Sequence, residues 1–330
     1  MTHEPRAVSI LSGFLGSGKT TLLRRYLAER DGPGVAVIIN EYGAVGVDHH
    51  LVRMVEERSA VIQGGCVCCN RREDLVGTLR ELLDLEQSGR LAPIRQVVIE
   101  TSGLADPVPI LFTLATDPVL RHHFTASLVV VTLDAVNAAT QISRRPEVRK
   151  QISVADRVII TKPDLVAREQ LARCRMQARQ LNPAAQIVVS ALGDRFDALA
   201  PQDRPDHPRD SLAEGGADPH PEIRSGTLVF GAPLDWAAFS VWLGMLLQAR
   251  GPDVLRIKGL LDIGDAGPVV LNVAQHVVHP PEHLPDWPLG ERRPYLTFIT
   301  RGIDASRIAR SIETFQRAGG RSDIRLDVIA

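Results

Sequence analysis

Excess charge of one sign, long apolar runs and abundant cysteine are all missing from this sequence. Thirty-eight basic residues stand against 39 acidic ones, a formal net charge of −1 over 330 residues. There is no broad basic surplus to hold nucleic acid or an anionic membrane. No apolar stretch approaches the ~18–20 residues that a bilayer span needs. Residues 1–6, Met-Thr-His-Glu-Pro-Arg, lead straight into a short apolar strand, without the apolar centre of a signal peptide. These absences, with a hydrophobic fraction of 44%, predict a globular protein of the cytoplasm. No internal repeat is present. Four cysteines in a cytosolic chain of this size exclude a disulfide framework.

Lysine is scarcer still. Lys19, Lys150, Lys162 and Lys258 stand against 34 arginines. In such a chain a lysine suggests a place that requires a compact ammonium on a slim stem. Lys19 and Lys162 fall in motifs treated below, whereas Lys150, beside Arg149, reads as surface.

What is present is an alternation of strand and helix. Apolar runs at 7–11, 35–39, 96–99, 127–133, 157–160 and 186–189 are separated by helical patterns at 20–29, 74–85, 108–115 and 168–180. Unbroken apolar strands suit a parallel sheet covered by helices on both faces. A short hairpin is expected over 41–61. Residues 201–222, rich in proline, aspartate and glycine, read as an exposed linker in which His207 and His220 are solvated. From residue 223 strand patterns at 227–230, 254–263, 268–278 and 295–300 combine with helices at 236–249 and 305–317. That order predicts a smaller α+β domain with a mostly antiparallel sheet. The expected organisation is therefore α/β over 1–200, a linker over 201–222 and α+β over 223–330.

The first strand ends in Gly13-Phe-Leu-Gly16-Ser17-Gly18-Lys19-Thr20, which satisfies G-x-x-x-x-G-K-S/T between a strand and a helix. The glycines allow backbone N–H groups to turn inward around phosphates, and the helix start favours negative charge. Lys19 is expected on the β- and γ-phosphates, Thr20 on Mg²⁺, and Thr21 on the helix near the α-phosphate. Thr161-Lys162-Pro163-Asp164 closes a later strand and resembles the Asn-Lys-x-Asp base-reading motif of GTPases. The Asp164 carboxylate can accept two hydrogen bonds from guanine, a pairing that adenine does not offer. Ser190, at the end of the next strand, stands where a loop would approach the guanine oxygen. GTP is the expected nucleotide.

Glu100 ends an apolar strand, the position of an acid that holds Mg²⁺ or its water, and Gly103 follows as a hinge able to approach the γ-phosphate. Asp106 reads either as part of this segment or as a helix cap. Glu41 and Asp48 fill the place of a first switch segment. Asp48, Glu41 and Glu100 are each candidates for ordering the attacking water, and Glu41 is also a candidate metal ligand.

Between these segments lie Gly64-Gly65-Cys66-Val67-Cys68-Cys69. Three soft thiolates suit zinc or copper(I), and three ligands leave a fourth position open for exchange. A buried turn or a redox pair is the competing reading, but C-x-C-C lacks the C-x-x-C spacing of thioredoxin-like centres. Cys174, alone in a helical stretch, reads as a small buried residue.

The series GFLGSGKTT, NEYG, GGCVCC, ETSGLADP and TKPD resembles the CobW-like metal-handling P-loop GTPases. The later RIKG (256–259), QHVVH (275–279) and Trp287-Pro288 resemble that family's C-terminal domain. The resemblance implies zinc on Cys66, Cys68 and Cys69, hydrolysis of Mg²⁺-GTP, and transfer of the metal to a client metalloprotein, with a homodimer as a candidate assembly. The same machine delivering cobalt or iron to one enzyme is an alternative. A P-loop kinase or a non-catalytic metal sensor is a further one. Departures from the family are the absence of a His-rich linker and QHVVH in place of a more glycine-containing strand. His276, His279 and His283 read as polar edge residues or a client-facing surface. The pairs His49-His50 and His122-His123 remain open.

Overall fold

The computed structural model describes residues 5–29, 34–39, 60–63, 72–191, 199, 223–264, 267–287, 292–321 and 324–329. The chain divides into two compact units, Met1–Arg175 with Gln186–Pro201, and Met176–Ala185 with Gln202–Ala330.

The first unit is built on a parallel sheet. Its strands are β1 (Arg6–Gly13), β2 (Val35–Ile39), β3 (Ala60–Gln63), β4 (Gln96–Glu100), β5 (Phe124–Asp134), β6 (Arg157–Thr161) and β7 (Gln186–Ser190). They lie in the order β3-β2-β4-β1-β5-β6-β7. Every described pairing is parallel. β1 is central, so the loop that leaves it opens between β4 and β5. The sequence explains why these runs are strands. Val97, Val98, Ile99, Val158, Ile159 and Ile160 are all fully buried. Branched side chains packed from both faces favour the pleat, each contributing about 1.5–3 kcal/mol when fully buried.

The connecting helices are α1 (Lys19–Ala28), α2 (Arg72–Gln87), α3 (Val108–Thr116), α4 (Leu120–His123), α5 (Ala138–Arg144), α6 (Pro146–Val154) and α7 (Arg168–Leu181). Two pieces depart from the sequence expectation. α5 and α6 fill a stretch whose polar, proline-interrupted sequence gives no clear periodicity. Pro146 nevertheless sits in the first turn of α6, where its missing N–H removes nothing. The hairpin expected over 41–61 lies mostly outside the described residues, and its last two fall in β3, which pairs parallel with β2.

The second unit carries β8 (Ile223–Phe230), α8 (Trp236–Arg250), β9 (Val254–Asp262), β10 (Pro268–Ala274), β11 (Val277–Val278), β12 (Glu282–His283), β13 (Tyr295–Arg301), α9 (Ala305–Ala318) and β14 (Leu326–Ile329). The strands form an antiparallel sheet in the order β11-β10-β9-β13-β8-β14, with β12 also paired to β10. Asp235 caps α8 by accepting from Ala238 N at 2.7 Å, and Asp304 caps α9 by accepting from Ser306 N at 2.8 Å. The core is aromatic: Phe239 and Trp242 stand 5.3 Å apart between centroids, and Trp242 meets Phe298 edge-on at 6.2 Å. The strand expected over 268–278 is broken. Gln275 takes φ 52° and, with His276, turns β10 back into β11. A two-residue turn of this kind needs a positive φ, which a glutamine seldom signals.

Among the described residues, no helix is long and apolar enough to cross a membrane.

Candidate nucleotide site

The phosphate-loop glycines do different work. Gly13, at φ 136°, lies so close to β5 that an added Cβ would stand 2.3 Å from Thr132 Oγ1 and 2.5 Å from Thr132 O. Gly16 (φ 71°) and Gly18 (φ 94°) turn the backbone through the left-handed region before α1 begins. The loop is held down by Ser17 Oγ and Thr132 Oγ1, 2.6 Å apart. Lys19 is buried, and its Nζ donates to the carbonyls of Gly13 at 3.0 Å and Phe14 at 3.3 Å, inside the loop's own curve.

At the C-terminal end of β4, Glu100 is 4% exposed and accepts from Thr20 Oγ1 at 2.6 Å. A hydroxyl and a carboxylate converging beside a buried ammonium form a hard-oxygen pair suited to Mg²⁺. Thr21, on the next position of α1, is exposed. Beyond Glu100 the chain turns back over the loop: a Cβ on Gly103 would lie 2.5 Å from Leu15 N and 2.8 Å from Leu15 Cα. Those are backbone atoms, so only glycine permits this approach. Asp106 stands one residue before Pro107, the cap position of α3, accepts from Val108 N at 3.1 Å, and pairs with Lys150 Nζ at 2.5 Å. Lys150 is therefore a tie to this turn rather than a bare surface charge.

The base-side segment is joined to the phosphate loop directly. Thr161 Oγ1 donates to Ser17 O at 2.7 Å, and Lys162 Nζ donates to Gly16 O at 2.9 Å. Lys162 is itself strained at φ 56° and is held by Asp134 Oδ2 at 2.8 Å. Burial of Asp134 would raise its pKa, but hydrogen bonds from Lys162, Asn137 and the Val136 N–H outweigh that and hold it below the usual carboxylate range. Asp164, two residues on from Lys162, is exposed. Ser190 ends β7, where Arg25 of α1 donates to Ser190 Oγ at 3.4 Å and to Ala191 O at 2.9 Å.

The structure thus brings Gly13, Gly16, Ser17, Gly18, Lys19, Thr20, Glu100 and Gly103 together at one end. Thr161 and Lys162 tie the base-side segment to that same loop. Sequence reasoning missed Asp134 and Arg25. Asp134 carries the signal already used for Glu100, an acid ending an apolar strand. Arg25 carries none in its local sequence. Glu41, Asp48, His49-His50, Cys66, Cys68 and Cys69 lie outside the described residues. Among the described residues, no cluster of three potential metal ligands occurs. Cys174 is buried on α7, and burial, with the nearby Asp134 charge, pushes its thiol up to about 12.

A central β1 feeding this loop, with an acid at the end of its neighbour and a lysine-aspartate segment at the end of β6, defines a P-loop GTPase. Residues 7–189 match the family described as "CobW/HypB/UreG, nucleotide-binding domain", and residues 223–316 match "Cobalamin synthesis protein cobW C-terminal domain". The chain belongs to this CobW/HypB/UreG family. It is similar to the zinc chaperone YjiA of Escherichia coli (strain K12), 31% identical over 309 residues that span 91% of this chain and 95% of the relative. It also resembles the zinc-regulated GTPase metalloprotein activator 1 of Schizosaccharomyces pombe, 33% identical over 206 residues, 60% of this chain and 49% of that protein. Among solved structures, Zn(II)-bound YjiA GTPase from E. coli aligns with a TM-score of 0.68 at 27% identity, covering 97% of this chain and 100% of that one.

Proposed function

We propose that this chain is a cytoplasmic, GTP-hydrolysing zinc chaperone. It binds Mg²⁺-GTP, carries zinc on Cys66, Cys68 and Cys69, and passes the metal to a client metalloprotein as the nucleotide changes. The observation that carries the hydrolytic part is the Thr20–Glu100 pair at 2.6 Å beside buried Lys19. Residues 1–200 would form the nucleotide domain, 201–222 a linker and 223–330 a second domain.

Lys19 exchanges its two loop carbonyls for the β- and γ-phosphate oxygens, a gain in charge pairing that favours the bound state. The N–H groups of Gly16, Ser17 and Gly18 line the same phosphates, as at other helix N-termini. Thr20 and Glu100 would hold Mg²⁺, which would supply positive charge against that building on the phosphate oxygens. Gly103 presents backbone to the γ-phosphate side, and Glu100 or Asp48 orders the attacking water. Thr161, Lys162, Asp164 and Ser190 select guanine, with Asp164 accepting from the ring N–H and the exocyclic amine.

The zinc assignment is supported by the chemistry of three clustered thiolates and by the names of the relatives, which include a zinc chaperone and a zinc-regulated activator. The test is a competition titration of Zn²⁺ in the GTP-analogue and GDP states, repeated with Cys66→Ala. Nucleotide-dependent affinity, lost in the variant, is expected; equal affinity in both states overturns coupled transfer.

A further inference from the structure

One helix reaches both sides of the phosphate end. Arg145, immediately before α6, lays its guanidinium over the Phe14 ring of the phosphate loop, 5.7 Å from its centroid. Five and six residues on, α6 grips the turn that follows β4. Gln151, 1% exposed, donates Nε2 to Gly103 O at 3.2 Å and to Ala105 O at 3.0 Å. Lys150 pairs with Asp106 at 2.5 Å. Two consecutive side chains therefore hold three of the four residues from Gly103 to Asp106. That same turn abuts the Leu15 backbone through Gly103.

We propose that Gln151, seconded by Lys150, is a positioning residue for hydrolysis, holding the Gly103–Ala105 carbonyls so that the turn keeps its aim at the γ-phosphate. The proposal rests on the reading of this chain as a GTPase in which Gly103 approaches the γ-phosphate. Fixing the Gly103 and Ala105 carbonyls fixes two peptide planes, those that carry the Leu104 and Asp106 N–H groups, and so holds the turn in which Gly103 stands. Of the two ends of the Gln151 amide only the nitrogen can donate to carbonyls, so the orientation of the side chain is set by its partners. Its Oε1 is buried with no donor among the described residues. A methionine of similar length would avoid that unmatched oxygen but could hold neither carbonyl. Retaining glutamine in so dry a place favours a role for its N–H groups over packing alone.

The test uses the full chain with Gln151→Met, Gln151→Glu, Lys150→Ala and Lys150→Arg. At saturating GTP, kcat is expected to fall about tenfold in Gln151→Met and further in Gln151→Glu, where a carboxylate faces two carbonyls. KM and the affinity for GDP should stay within about twofold, and Lys150→Arg should restore the smaller, about threefold, loss of Lys150→Ala. Hydrogen exchange in the nucleotide-free protein should quicken about tenfold at the amides of residues 103–106 in Gln151→Met, and stay unchanged in β8–β14. An unchanged kcat in a folded Gln151→Met protein overturns the proposal. So does a parallel loss of GDP affinity with faster exchange throughout the first sheet, which marks a purely structural residue. If the wild-type chain hydrolyses no GTP, the GTPase reading fails. Exchange then decides alone: a local increase keeps the latch on the turn, and none overturns it.

Discussion

The two sheets of this molecule bury different things. In the parallel sheet, polar groups accumulate at the C-terminal ends of the strands: Glu100, Thr132, Asp134 and Thr161 are all buried there beside Ser17 and Lys19. In the antiparallel sheet the interior is aliphatic and aromatic, with Phe239, Trp242 and Phe298 at its centre. Its buried polar pairs are structural, Thr227 with Thr297 across two strands and Gln316 with the backbone of Asp235. A buried polar group costs stability unless it is hydrogen-bonded, so its distribution marks where a fold gives up packing for chemistry. The first unit gathers such groups around its phosphate loop, whereas the second buries Arg256, Asp262 and Gln316 within its own packing.

The largest effect expected from this contrast is on stability in the second unit. Trp242→Ala should cost about 3–5 kcal/mol of unfolding free energy in denaturant titration, with GDP affinity retained. Loss of GDP binding with the fold of the first sheet intact would break the separation. Next, Lys19→Ala should lower GTP turnover by about a hundredfold or more, with a far smaller effect on the melting temperature. A comparable melting loss would show Lys19 to be a packing residue.

A smaller effect sharpens the comparison through pH. Asp134 has a depressed pKa in the folded state, so its contribution to stability is full above the unfolded carboxylate value of about 3.9 and is lost as pH falls through the lower folded value. The stability gap between wild type and Asp134→Asn, measured by denaturant titration, should therefore close only below about pH 4. A gap that is constant down to pH 2 would contradict the ion pair with Lys162. The smallest effect concerns Cys174. With its thiol pushed up to about 12 by burial and the Asp134 charge, it should resist alkylation at pH 8. Cys174→Ala should leave the number of fast-reacting thiols in native protein unchanged.

Much of the first unit was legible because its signals are local. The strands are apolar runs, the glycines and Lys19 stand at fixed spacing, and an acid closes β4. The second sheet was legible in outline, but 268–278 read as one strand because nothing marks Gln275 as the residue that takes φ 52°. α5 and α6 escaped notice for the opposite reason: Arg144-Arg145-Pro146 interrupts a polar stretch, and the register of buried Ile142, Val148 and Ile152 is split between two short helices. Gln151 was invisible for the same cause. Its meaning depends on carbonyls more than forty positions away, and a sequence pattern contains no term for that.

The bridge from Thr161 and Lys162 to the carbonyls of Ser17 and Gly16 has a consequence for what the pocket measures. The segment proposed to recognise the purine and the loop proposed to cradle phosphate are cross-braced, so a shift of one strains the other. On the proposed assignment of the two segments, such a site would work as a calliper, turning away by length alone a ligand whose base is set one bond too near or too far from its phosphates.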